Sequence, residues 1–97
     1  MRLVRFTFGP GKSAEVSGIR DEIVPLVASQ PGRQGVTLFG DDGEGEYGLA
    51  VLWDTEDNAN AAQAVVGPKI GAYFEGNVRQ PPERRLFPVI ASWAPSR

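Results

Sequence analysis

Hydrophobic and polar residues alternate from the first positions of the chain. Val4, Phe6 and Phe8 fall on one side and Leu3, Arg5 and Thr7 on the other, the period of a strand, which predicts a strand over Arg2–Phe8 closed by Gly9-Pro10-Gly11. The period then changes. Val16, Ile19, Ile23, Leu26 and Val27 recur at helical spacing, with Arg20, Asp21 and Glu22 off that stripe. Ser13 is the expected cap, Pro25 predicts a kink, and Gln30-Pro31-Gly32 ends the helix. Arg33–Gly40 reads as a second strand, Asp41–Glu46 as an acidic, glycine-rich turn, and Tyr47–Trp53 as a third strand, the two strands pairing as a hairpin. The third is apolar at nearly every position, so both its faces are expected to be covered. Asp54 or Thr55 caps the next helix, with Glu56 and Asp57 in its first turn, where the helix dipole favours acids. Its small-residue face (Ala59, Ala61, Ala62, Ala64, Val65, Val66) ends at Gly67-Pro68, which is expected to break it. Lys69–Phe74 then forms a short extra turn carrying Ile70, Tyr73 and Phe74 to the core. A fourth strand is expected over Arg84–Trp93, with Phe87, Val89, Ala91 and Trp93 on one side, before a fraying tail, Ala94–Arg97.

The order β-α-β-β-α-β across residues 1–97 predicts a single α+β, ferredoxin-like domain, with two helices on one face of a four-stranded antiparallel sheet. A chain of 97 residues has material to cover only one face. On the third strand the small set Gly48, Ala50 and Leu52 suits close helix approach, which assigns Tyr47, Leu49, Val51 and Trp53 to the open face. Leaving such side chains wet forgoes roughly 1.5–3 kcal/mol each. A second copy, stacked nucleic-acid bases or an apolar ligand are the covers to be weighed.

Composition narrows these. There is no cysteine and no histidine, which removes disulfides, thiol nucleophiles, the commonest general base and the usual transition-metal and haem ligands. Five serines therefore have nothing to activate them, and no nucleophile elbow is present. Net charge is −2, which gives no pull toward nucleic acid or an anionic membrane. The third strand only faintly echoes an RNA-recognition signature, with Glu46 where a basic residue is wanted and Leu49 where a second aromatic is wanted. The acids Asp41, Asp42, Glu44 and Glu46 lack the spacing of a calcium loop and read as a solvated turn. No apolar run reaches membrane-spanning length and the start of the chain is not a signal peptide, so a cytoplasmic protein is expected, without cofactor or metal.

Pro31-Gly32 followed by Gly35–Phe39, the strand Tyr47–Trp53, the junction Trp53-Asp54-Thr55-Glu56-Asp57 running into an alanine-rich helix, and Gly67-Pro68-Lys69-Ile70 with Tyr73-Phe74 resemble the antibiotic biosynthesis monooxygenase family. The resemblance implies a homodimeric α/β barrel joined through the open sheet faces. It also implies a pocket between sheet and helices and, for characterised members, cofactor-independent oxygenation of polycyclic phenols or quinols, or haem degradation. Many members carry a histidine nine residues past the tryptophan, where this chain has Ala62; without any histidine, haem ligation by the family's usual residue is excluded, which disfavours haem degradation.

The expected function is therefore a cofactor-independent monooxygenase acting on a hydrophobic aromatic molecule, the alternative being a non-catalytic dimeric small-molecule-binding or interaction protein. Arg5 and Tyr47 are the candidate catalytic residues, able to hold a phenolate or stabilise an oxyanion; their plainer roles are a surface arginine and an amphipathic core tyrosine. Thr7, Trp53 and Phe74 are the candidate substrate-binding residues, Trp53 packing a flat ring. Asn58 and the basic loop of Arg79, Arg84 and Arg85 read as solvated surface. Both candidate catalytic groups pointing into one cavity would favour chemistry over binding.

Overall fold

A computed structural model describes residues 1–93 of the chain; the Ala94–Arg97 tail lies outside the described residues. Strand β1 (Arg2–Thr7) is followed by two short helices, α1 (Ser13–Gly18) and α2 (Val24–Ala28), joined without a break by a wide π turn, Ile19–Ile23. A hairpin follows, β2 (Arg33–Asp41) and β3 (Glu46–Trp53), then the long helix α3 (Glu56–Phe74) and the short strand β4 (Glu83–Leu86). The strands lie in the order β2-β3-β1-β4, all pairs antiparallel, which is the expected ferredoxin-like arrangement.

Pro25 interrupts the regular α-helix rather than ending it. It sits in the opening turn of α2, where its missing N–H is not needed, and the turn before it widens so that the N–H of Val24 reaches the carbonyl of Ile19. Ile19, Ile23 and Val27 stay on one buried line through this adjustment. The stretch begins at Lys12 rather than on a serine cap: the Ser13 side chain makes no capping bond. In α3 the cap is Thr55, whose hydroxyl accepts from the Asn58 N–H at 3.1 Å.

Helix α3 also runs straight through Gly67-Pro68, where a break was expected. Pro68 costs the helix one hydrogen bond, to the carbonyl of Ala64, but Ala64 and Pro68 are both on the exposed side of the helix, where an unpaired carbonyl is least costly. Gly67 has no Cβ to clash with the proline ring. Burial of Ile70 and Phe74 beyond the proline holds the last turns in place. The fourth strand is shorter than expected. Pairing with β1 ends at Leu86, and Pro88–Trp93 extends with Ile90 99% and Trp93 86% exposed.

The face assignment of β3 is reversed. Tyr47, Leu49 and Val51 are buried beneath the helices with Val4, Phe6 and Phe8, while Gly48, Ala50 and Leu52 lie on the open face beside Arg5 and Leu3. The cause is volume. The underside of α3 is itself small, with Ala59, Ala62 and Val66, so large sheet residues are needed to fill the layer between them. Phe6 centres this layer, its ring 4.8 Å from that of Phe74 and 4.9 Å from that of Phe8. On the open side, the ring of Phe39 lies across Gly48, where a Cβ would meet it at 2.3 Å.

Candidate active site between sheet and helix

The two candidate catalytic residues border one cleft but from opposite faces of the sheet. In the β1–β3 register Arg5 stands opposite Gly48 and Tyr47 opposite Phe6, so their side chains leave opposite faces of the sheet. Arg5 is exposed on the open face and lines, with Thr7, Glu46, Tyr47 and Glu83, a cleft of about 200 Å³, which Tyr47 meets although its ring leaves the other side of the sheet. The Tyr47 ring is buried in the core and its hydroxyl donates to Asp42 Oδ1 at 2.5 Å. Burial first, then the hydrogen bond to Asp42 and the charges of Asp42 and Asp41, push the Tyr47 phenol up to about 12. Phe74 is packed into the aromatic core, with the Arg84 guanidinium 6.0 Å above its ring. Asn58 Nδ2 donates to Asp54 Oδ1 at 2.8 Å, which ties the end of β3 to the start of α3.

Trp53 is the candidate that lines an interior cleft. This space, of about 30 Å³, lies between the helix-facing side of the sheet and α3. Val4, Leu49 and Val51 form its floor, and Ala59, Ala62, Val66 and Ile70 its roof. Ala62, where many antibiotic biosynthesis monooxygenases carry histidine, is therefore a wall of the cleft. The polar groups are Arg2, Trp53, Gln63 and Arg84. Arg2 stands opposite Val51 on β3 and Leu86 on β4, so it shares the helix-facing side with Trp53, two residues beyond Val51. Diagonal neighbours of this kind are within reach of long side chains. Arg2 Nη2 donates to Asn60 Oδ1 of α3 at 2.9 Å.

Two of the residues lining this cleft carry a buried, unpaired donor. Arg2 Nε and Trp53 Nε1 have no hydrogen-bond partner among the described residues. Each desolvated donor left in this state costs about 1–3 kcal/mol. Buried polar groups are otherwise nearly always paired.

Sequence reasoning passed over Arg2, Asn60, Gln63 and Arg84 as site residues. One signal was available: Arg2 has the same strand parity as Val4, Phe6 and Phe8, a charge on a stripe that is otherwise apolar. Gln63 and Asn60 carry no such mark, because the phase of α3 against the sheet is a tertiary matter.

Comparison with solved structures places this architecture. The chain has the fold of the antibiotic biosynthesis monooxygenases. It superposes on NE2512, a protein of unknown function from Nitrosomonas europaea, with a TM-score of 0.80 at 17% identity, covering 98% of this chain and 92% of that one. SnoaB, a cofactor-independent oxygenase from Streptomyces nogalater, matches with a TM-score of 0.74 at 23% identity over 94% of this chain and 92% of its own. The monooxygenase from the gene ActVA-Orf6 of Streptomyces coelicolor, solved with nanaomycin D, matches with a TM-score of 0.75 at 15% identity over 98% and 90%. No family model matches the chain, and no curated protein matches it. Against this monooxygenase-like fold, the cleft occupies the layer where the resemblance in sequence implies a pocket.

Proposed function

We propose that the protein is a cofactor-independent oxygenase that binds an apolar aromatic substrate of the quinol or anthrone type in the cleft beneath α3. The observation that carries this reading is that Arg2 and Trp53, whose Nε and Nε1 are buried and unpaired, both line this mainly apolar cleft, with Gln63 and Arg84 its other polar groups. A cleft lined by carbon alone would favour passive binding; donors held in a dry layer can stabilise an oxyanion as it forms. The role first considered for Arg5 and Tyr47 passes in this proposal to Arg2 and Trp53, which share a face. Arg5 and Thr7 belong instead to the open face, which a second copy of the chain would cover.

The chemistry needs only the substrate and oxygen. An activated methylene that has lost a proton carries its charge as an enolate, whose oxygen accepts from Arg2 and Trp53. The carbanion form passes one electron to dioxygen, and the resulting radical and superoxide combine to form the carbon–oxygen bond of a peroxide. Protonation and loss of water leave a ketone. The methylene is oxidised by four electrons, one oxygen atom enters the product and the other leaves as water, so no external reductant is consumed.

Oxygen uptake with dithranol, an anthrone, tests the reading. The expected result is uptake well above autoxidation in buffer, reduced about tenfold or more by Arg2→Leu and by Trp53→Phe, each of which removes a hydrogen bond to a charged oxygen. Arg5→Ala is expected to leave uptake within about twofold. Uptake no faster than buffer with the wild-type chain refutes the proposal, and a large loss in Arg5→Ala returns the site to the open face.

A further inference from the structure

Past β4 the chain continues as an arm that its own sheet does not hold. The Phe87 N–H still reaches the Met1 carbonyl, at 2.8 Å. Beyond it, among the described residues, no backbone group of residues 88–93 makes a hydrogen bond to another backbone group. The side chains are as bare: Ile90 is 99% exposed, Trp93 86% and Val89 47%. Yet the composition is that of a strand made to be covered. Residues 87–93 carry no charge, and Phe87, Val89, Ala91 and Trp93 alternate at the strand period.

The two outer edges of the sheet are not alike. β4 protects its own: Glu83, Arg84 and Arg85 put charges on three of its four residues, behind Pro81 and Pro82. β2, at the other edge, is nine residues long and is charged only at its ends, Arg33 and Asp41. From Gln34 to Gly40 it holds neither a charge nor a proline, and its one bulge lies at the start, between Arg33 and Gly35. Apart from the ladder to β3, residues 35–40 make no backbone hydrogen bond among the described residues. An open edge of this length is ordinarily blunted by charge or proline. One chain thus carries a bare strand and a bare edge, and it cannot join them itself. The order β2-β3-β1-β4 sets the root of the arm and the bare edge on opposite sides of the sheet. Crossing the strand spacings between them, roughly 14 Å, would use most of the roughly 20 Å that the extended arm spans and leave too little for a ladder.

From this mismatch we propose that the arm, residues 88–93, is exchanged between copies: it adds as a strand to the β2 edge of a second copy of this chain. Each chain carries both halves of the contact, so a reciprocal exchange leaves neither arm nor edge bare, and two copies close the assembly. Main-chain bonds along the edge hold the added strand. Neither segment is charged, so no ion is desolvated between them. Pro88, which has no N–H to leave unpaired, stands where the arm departs from its own sheet. On the partner's edge Val89, Ala91 and Trp93 face one side of the joined sheet and Ile90 the other. The exchange does not depend on the oxygenase reading.

The chain has no cysteine, so introduced cysteines report the contact without background. Thr37→Cys on the β2 edge and Ser92→Cys on the arm are made in separate chains, refolded together from urea and treated with a short bismaleimide. The expected product joins one chain of each kind, in greater yield than either variant gives alone, and it is absent when urea is kept in. A second variant, Ile90→Asp with Trp93→Ser, tests the energetics. Both residues touch little of their own chain, so its circular dichroism and its unfolding as a monomer are expected to match the wild type. Its self-association in sedimentation is expected to weaken about tenfold or more. A wild-type chain that is monomeric at micromolar concentration overturns the proposal, as do open assemblies larger than a pair. A mixed cross-link no stronger than that of Ser92→Cys alone, which is arm against arm, overturns it too. A wild-type dimer that the arm variant leaves unchanged removes the exchange and keeps only the pairing of open sheet faces.

Discussion

Tyr47 shows how one side chain can look catalytic in a sequence and be structural in the fold. Its ring stacks at 5.8 Å from Phe6, and its hydroxyl leaves the core at the hairpin turn to reach Asp42. The folded phenol, pushed up to about 12, ionises well above its ordinary value of 10.0. The unfolded chain therefore releases this proton first. The associated stability is fully present below pH 10 and is lost as pH rises toward 12. Tyr47→Phe is expected to cost about 1 kcal/mol in urea unfolding at neutral pH, and to remove this part of the decline between pH 10 and 12. A wild-type chain whose unfolding free energy falls no faster than that of the variant in that window contradicts the assignment. Arg2 is the opposite case. Nothing about an arginine near the start of a strand marks it as more than surface, until its parity with Val4 and Phe6 is weighed against its idle, buried Nε.

At the scale of elements, the proline expected to kink one helix and the proline expected to break the other are both accommodated within helical backbone. Pro25 stands where a helix can begin, and the π turn before it takes up the misfit. Pro68 stands in the middle of α3 on its exposed side, so only one carbonyl on that side loses its partner. Pro68→Ala is accordingly expected to stabilise the chain, by about 1–3 kcal/mol in thermal or urea unfolding, since it restores that bond without touching the buried side of the helix. An unchanged or lowered midpoint would show that the proline relieves strain elsewhere. The hairpin, the helix cap at Thr55 and the acidic first turn of α3 were legible because capping and turn chemistry are local. The apolar stripe of the first helical stretch was legible for the same reason; that of α3 was not, since Ala61, Ala64 and Val65 of the expected face are exposed while Ala59, Ala62 and Val66 are buried. The length of β4 was not: Phe87, Val89, Ala91 and Trp93 alternate as a strand does, but a strand forms only where a neighbour offers a ladder, and pairing with β1 ends at Leu86.

For the whole molecule, the open sheet face remains the largest question of packing. It carries Leu3, Ala50, Leu52 and Phe39 among Arg5, Thr7 and Thr37, with Phe39 45% exposed. This strip is less apolar than the set first assigned to it, yet it is continuous across three strands, and such strips are characteristically covered. A homodimer joined through these faces is the expected assembly, the geometry that two-fold pairing of identical surfaces allows. Sedimentation at micromolar concentration is expected to give twice the chain mass, and Leu52→Glu to give a folded monomer with unchanged circular dichroism. A wild-type chain that sediments as a folded monomer ends the barrel. Among the described residues no helix is long and apolar enough to cross a membrane.

The sequence by itself determined the order of elements, the ferredoxin-like class and the absence of thiol and imidazole chemistry, because periodicity, capping and composition are properties of neighbouring residues. Which face of β3 is buried was decided only in three dimensions, by the need of a small-sided helix for large partners across the layer. With it went the place of the site: once Tyr47, Leu49 and Val51 turn inward, Arg2 and Trp53 turn inward beside them and Arg5 turns out. Strand parity pairs residues two apart, but it does not say which side of the sheet the helices will choose; only the fit of volumes between layers does.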